Sequence, residues 1–131
     1  MKRRLNYIAY LIILGGVLLA SCQKSKYKIL ETLAEETNKV CPQMMDEYTT
    51  LDSLAAKTDS LIFYYTLPVE FKSIGLENGA EDIMKAGLIK NLQSSPSFSI
   101  LKNINAKVVH IYRYSDESLF LQVAINPEDY K

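Results

Sequence analysis

The run from about Leu5 to Ala20, set behind Lys2-Arg3-Arg4 and closed by Leu19-Ala20-Ser21-Cys22, constrains this chain most, because it decides how much sequence is left to fold. A cationic start, a short apolar stretch and small residues before a cleavage point are the parts of a secretory signal. A membrane-crossing helix wants about 20 apolar residues. This run is shorter, is broken by Asn6 and Gly15-Gly16, and meets Gln23-Lys24-Ser25-Lys26 at once. The expectation is a signal over residues 1–21 that is removed, a tether over 22–26 and one folded domain over 27–131. An uncleaved signal anchor and an ordinary secretory signal are the alternatives.

Leu19-Ala20-Ser21-Cys22 resembles the lipobox of bacterial lipoproteins. The resemblance implies that the Cys22 thiol receives a diacylglycerol, that the peptide before it is cut away and that the new amino terminus is acylated. Each acyl chain contributes about 0.8 kcal/mol per buried methylene, and two chains suffice for stable anchoring, so the first partner implied is a membrane held through acylated Cys22. Gln23 stands where inner-membrane retention signals resemble an aspartate, and Lys24 and Lys26 are basic where surface-export signals look acidic. The expected location is the bacterial outer membrane, facing the periplasm.

Without the signal, about 110 residues remain, a common size for one domain. The whole chain balances 15 basic against 15 acidic residues, but Lys2, Arg3 and Arg4 leave with the signal, so the mature domain is mildly acidic. Such a balance offers no basic footprint for nucleic acid.

Between Tyr27 and Cys41, Leu30, Leu33, Ala34, Thr37 and Cys41 follow the three-and-four spacing of a helix with one buried face, and Pro42 should end it. A second helix is marked by Asn78-Gly79, by Glu81 and Asp82 in its first turn, and by Ala80, Ile83, Met84, Gly87, Leu88 and Leu92 on one side; Ser94-Ser95-Pro96 stops it. Leu61, Phe63, Tyr65 and Leu67 alternate with Ile62, Tyr64 and Thr66 as a strand, paired with a segment around Thr49 to Ala56 through Lys57-Thr58-Asp59-Ser60. Lys107 to Tyr114 and Leu119 to Asn126 form a second pair. The order helix, hairpin, helix, hairpin predicts an α+β domain. Two helices would cover one face of a four-stranded antiparallel sheet, with Leu88 and Leu121 in the layer between.

Asn38-Lys39 with Pro42 and Asp46, then Thr50-Leu51-Asp52-Ser53, Tyr65-Thr66-Leu67 and Tyr112-Arg113-Tyr114, resemble a group of small bacterial envelope proteins and lipoproteins of unassigned function. The likeness runs from about Asn38 to Asp129. Members of that group often pair a cysteine near the end of the second helix with one at the carboxy terminus; Asn91-Leu92-Gln93 and Asp129-Tyr130 offer neither. The resemblance implies the architecture but not that staple.

No residue pattern points to catalysis, a metal or a cofactor, so the chain is not expected to be an enzyme. Cys41, the cysteine left once Cys22 is acylated, falls at a helix carboxy end, where the dipole disfavours a thiolate; it reads as a small core residue or as half of an intermolecular disulfide. His110 is the only histidine, placed mid-strand between Val109 and Ile111 with no ligand-spaced cluster. Ser53, Ser60, Ser73 and Ser118 lie in no nucleophile-elbow context. The acidic pairs Glu35-Glu36, Glu81-Asp82, Asp116-Glu117 and Glu128-Asp129 read as helix-start, turn and solvated charges.

The tyrosines are more suggestive. Tyr64, Tyr112 and Tyr114 could share one sheet face with Phe120, either as an exposed surface that meets a partner or as the core beneath the helices. Two functions follow from these features. One is a noncatalytic protein-binding accessory module that meets another envelope protein through a sheet face or edge. The other is a carrier that holds a lipid or small apolar molecule between helices and sheet, which requires an unfilled apolar cavity of several hundred Å³.

Overall fold

The computed structural model describes residues 24–131. The signal, Cys22 and the first part of the tether lie outside the described residues, whereas the tether's Lys24 to Lys26 already belong to the first helix. That helix, α1, covers 24–38. It buries Leu30 and Ala34, and its last turn is finished by the Thr37 hydroxyl donating to the Leu33 carbonyl at 2.9 Å. Pro42, with no amide hydrogen to give, stands just beyond.

Strands β1 (Gln43–Met44), β2 (Thr50–Ala56), β3 (Ser60–Leu67), β4 (Lys107–Tyr114) and β5 (Leu119–Ile125) lie side by side in chain order as a single five-stranded sheet. Both hairpins expected from the alternation are present. The Lys57 N–H donates to the Ser60 carbonyl at 2.8 Å to close β2 onto β3, and the Tyr114 N–H donates to the Ser118 carbonyl at 2.9 Å to close β4 onto β5.

The four-stranded antiparallel arrangement is corrected in two ways. A short β1 extends the sheet beside β2, and the central pair, β3 and β4, is parallel, with Leu61 beside Val108 and Tyr65 beside Tyr112. The reason is the connection. Residues 68–106 hold a 3-10 helix (Val69–Ser73), then α2 (Ala80–Gln93) and α3 (Phe98–Asn103), which carry the chain back along the sheet so that β4 starts at the end where β3 started. Parallel neighbours need a helical crossover of this kind, and a tight turn cannot supply one. Gly79 begins α2 at φ +84, a backbone conformation that a side chain would strain, and Glu81 and Asp82 follow in the first turn, where the helix dipole favours anions.

A fourth helix, the single-turn α4 (Pro127–Tyr130), was not marked by any periodicity because it is shorter than one helical repeat of pattern. A capping box between Asn126 and Asp129 starts it, and Asp129 also meets Lys85 of α2 at 3.2 Å. It anchors the fully buried Tyr130, whose hydroxyl donates to the Ala106 carbonyl. Leu30, Ala34, Leu92, Leu101 and Tyr130 from the helical segments pack with Leu54, Leu61, Val108, Leu121, Val123 and Ile125 from the sheet as one core. Leu121 is thus in the helix-sheet layer as expected, and Leu88 packs against that layer half-buried.

Candidate functional site

The register of the parallel pair decides what lies between the helices. Phe63 stands beside His110 and Tyr65 beside Tyr112, so four rings from β3 and β4 form a patch on the helix-facing side of the sheet. Tyr65 and Tyr112 stack with centroids 4.4 Å apart and planes within 8°, and Phe63 stacks on His110 at 4.8 Å. Tyr65 Oη and His110 Nδ1 share a hydrogen bond of 2.9 Å across the patch.

Above these rings the helices leave a groove of about 550 Å³. Leu33 and Thr37 of α1 form one wall and Met84, Leu88 and Asn91 of α2 the other. Tyr112 and Met84 also line an adjacent cleft of about 530 Å³ that runs toward Leu67, Phe71, Ile74 and Phe120. The turn between β1 and β2 brings Met45, Asp46 and Thr49 to the mouth. Met45, Tyr48 and Ile74, all beside this groove, are exposed apolar residues.

The floor is uncharged. Burial lowers His110 to about 4, so its imidazole is neutral at pH 7; burial pushes Tyr112 up to about 12 and Tyr65 higher still. Glu47 borders the second cleft, and Asp46 borders both. Asp46 accepts the Tyr48 and Thr49 N–H groups at 2.9 and 2.8 Å, and the Tyr48 bond first of all holds its carboxyl below the usual carboxylate range. No three of the described histidines, cysteines, aspartates and glutamates converge as a metal set. The arrangement can bind an elongated apolar body.

The structure divides the aromatic set expected to share one face. Tyr112 is in the groove floor at 5 % exposure. Tyr114, also buried, packs edge-on against Phe120 at 5.3 Å, and half-buried Phe120 lines the second cleft. Tyr64 lies on the opposite face, under the Arg113 guanidinium at 5.8 Å from its ring. The separation follows from the parallel register, which sets Tyr65 rather than Tyr64 beside Tyr112. Phe63, Tyr65, His110 and Met84 are the groove residues that sequence reasoning missed. The apolar face Leu61, Phe63, Tyr65, Leu67 was visible in the sequence, and aligning it with Val108, His110, Tyr112 would have found the patch. Cys41 is half-buried against the core; its thiol donates to the Thr37 carbonyl at 3.4 Å, and burial raises its pKa.

Sheet and groove together define a small α+β domain with an apolar slot between two helices. The chain belongs to the family described as "Domain of unknown function (DUF8479)", which matches residues 24–120. No curated protein matches it in sequence. Its fold is similar to that of a Pseudomonas aeruginosa protein described as secreted, at 13 % identity and TM-score 0.73, covering 84 % of this chain and 96 % of that one. It is also similar to the type II secretion system pilotin AspS from Vibrio cholerae, at 10 % identity and TM-score 0.63 over 85 % of this chain and 97 % of the other. The pilotin EpsS from the Vibrio vulnificus type 2 secretion system shares 5 % identity at TM-score 0.68, with coverages of 86 % and 97 %.

Proposed function

We propose that this chain is a noncatalytic envelope lipoprotein, anchored by acylated Cys22 to the outer membrane and facing the periplasm, that acts as an accessory module for another envelope protein. The observation that carries the binding role is the groove between α1 and α2, floored by Phe63, Tyr65, His110 and Tyr112 and bordered by a second cleft. An amphipathic helix laid between two helices on an apolar floor is a common mode of peptide recognition. Exposed methionine at the mouth suits such a surface, because its unbranched thioether adapts to what it meets. The secretion pilotins among the structural neighbours support a partner in the envelope. Relative to the sequence expectation, the binding surface moves from an open tyrosine face to the groove, and Tyr112 and Phe120 contribute from within it.

A photo-crosslinking residue at Met45 or Asn91, both exposed on the groove, tests this in cells expressing the full chain. The expected result is one discrete protein adduct from both positions and none from Glu81 on the outer side of α2. Adducts only from Glu81, or from no position, overturn the reading. Fatty-acid labelling of wild type against Cys22→Ser tests the anchor separately, with equal labelling counting against it.

The size of the cavity favours a second reading. About 550 Å³ lies within the range of small-molecule sites, so a lipid or other apolar molecule could fill the groove instead. Native mass spectrometry of the gently extracted full chain would then show a bound small-molecule mass that the crosslinking experiment does not account for.

A further inference from the structure

The two edges of the sheet are treated differently. At the first, β1 covers Thr50 and Leu51, and beyond it the Asn38 side chain closes β2: its amide donates to the Leu54 carbonyl at 2.9 Å and its oxygen accepts the Leu54 N–H at 2.7 Å. A side chain thus satisfies the backbone that a foreign strand would use. At the other edge β5 reads Leu-Phe-Leu-Gln-Val-Ala-Ile over residues 119–125. It contains none of the lysine, acidic residue or proline with which native edges discourage strand addition. Among the described residues, no group outside its ladder with β4 is hydrogen-bonded to it.

From this asymmetry we infer that β5 is an association edge and that its occupant is β5 of a second copy of this chain. The stretch Leu121–Ile125 is regularly paired with β4, and the register shift opposite Tyr112 and Arg113 falls before it. A two-fold axis at Val123 sets Leu121 opposite the other copy's Ile125 and Gln122 opposite its Ala124. Leu121, Val123 and Ile125 face the core, whereas Gln122 and Ala124, beside Ile111 and Val109, face away from it. The antiparallel register therefore keeps every side chain on its own side of a joined sheet, which a one-residue slip would not. No charge opposes another across the contact, so like-charge repulsion between copies is absent. The assembly also closes. Isologous pairing consumes both β5 edges and leaves at each far end the two-residue β1 and the part of β2 that Asn38 closes, so the product is a dimer and not a filament.

The association stands apart from the groove and is tested apart from it. In the full chain carrying Cys41→Ala, the pair Gln122→Cys and Ala124→Cys places cysteines directly opposite across the axis, close enough for a disulfide, while the two within one strand point along it too far apart to pair. Non-reducing electrophoresis is expected to show a crosslinked dimer. The same background with Ser53→Cys and Ala55→Cys, on the closed edge, keeps any contribution from Cys22 and is expected to stay monomeric.

Sedimentation of the detergent-solubilised full chain supplies the second measurement. Wild type is expected to dimerise with rising concentration, and Gln122→Lys with Ala124→Lys to lose the dimer while keeping the melting temperature that wild type shows at concentrations where it is monomeric. Mixing that variant with Gln122→Glu and Ala124→Glu should restore a heterodimer. Absence of the crosslink, a monomer throughout the wild-type concentration series, or a dimer indifferent to the lysine pair would each overturn the inference.

Discussion

Tyr65 and His110 meet at the bottom of the groove, one on each strand of the parallel pair, with Oη 2.9 Å from Nδ1 and the rings 5.7 Å apart at 20°. The bond satisfies the Tyr65 hydroxyl and one ring nitrogen of His110, and the two residues are 7 % and 6 % exposed at the groove floor. The bond lets two amphipathic rings serve as an apolar floor. It also fixes the register of β3 against β4 at one point with a specific polar contact.

Tyr65→Phe keeps the ring and removes the hydroxyl, leaving His110 Nδ1 buried without that partner. Stability should fall by about 1–3 kcal/mol, the usual cost of an unsatisfied buried polar group. Urea unfolding monitored by far-ultraviolet circular dichroism measures it, and native helix content should be unchanged. A loss below about 0.5 kcal/mol would mean that water reaches the imidazole, since surface changes fall in that range.

The same histidine gives the fold a dependence on pH. Its folded pKa, lowered by burial to about 4, lies below the ordinary 6.5 expected when unfolded. Between those values the unfolded chain binds the extra proton, so stability is fully present above about 6.5 and is lost as pH falls toward 4. From pH 7 to pH 5 the loss should be about 2 kcal/mol from this group alone. Asp116, held near 2 by the Ser118 hydroxyl and N–H, stays charged throughout that interval. In the double variant Tyr65→Phe, His110→Phe the slope over that interval should flatten; an unchanged slope would assign it to another group.

How far the sequence could be read follows from where its signals are local. The alternation in Leu61 to Leu67 and in Leu119 to Ile125, the turn residues at Lys57 to Ser60, and the acids opening α2 each act within a few residues, and the elements they mark are present. The pairing of β3 with β4 depends on the path of residues 68–106, which no local pattern records. Two hairpins placed side by side would be antiparallel; a helical crossover makes the middle pair parallel. The candidate site inherits that misreading. Tyr112 and Phe120 reach the groove, but Tyr64 falls on the other face, and no local pattern brings Tyr65 and His110 together. Tyr130 is a different case: it packs by an aromatic edge on Phe98 at 5.7 Å, and Gln93 donates to its carbonyl at 3.5 Å, between the two segments that members of the resembling group often join by a disulfide.

Tyr64→Ala and Tyr112→Ala should separate the two sheet faces. Tyr112, stacked on Tyr65 and buried, should cost about 3–5 kcal/mol, the range for large aromatic truncations in cores. Tyr64, half-buried beneath Arg113, should cost under about 1 kcal/mol. Thermal melting of both variants checks the order, and equal losses would mean that the face away from the helices is as deeply packed as the groove floor.

Asn38 ties the end of α1 to the sheet edge through both halves of its amide, and those halves can be tested one at a time. Asn38→Asp keeps an oxygen to accept the Leu54 N–H but cannot donate to the Leu54 carbonyl, and it brings a charge beside that carbonyl. Asn38→Ala removes both bonds and leaves the β2 backbone unpaired at this point. Loss of two such bonds at a half-buried site should cost about 1–3 kcal/mol, with hydrogen exchange at the Leu54 amide accelerated ahead of its neighbours in β3. The alanine variant should also expose β2 as a second open edge, so sedimentation should show species larger than a dimer where wild type shows none. Unchanged exchange at Leu54 would show that β1, and not the Asn38 side chain, closes this edge.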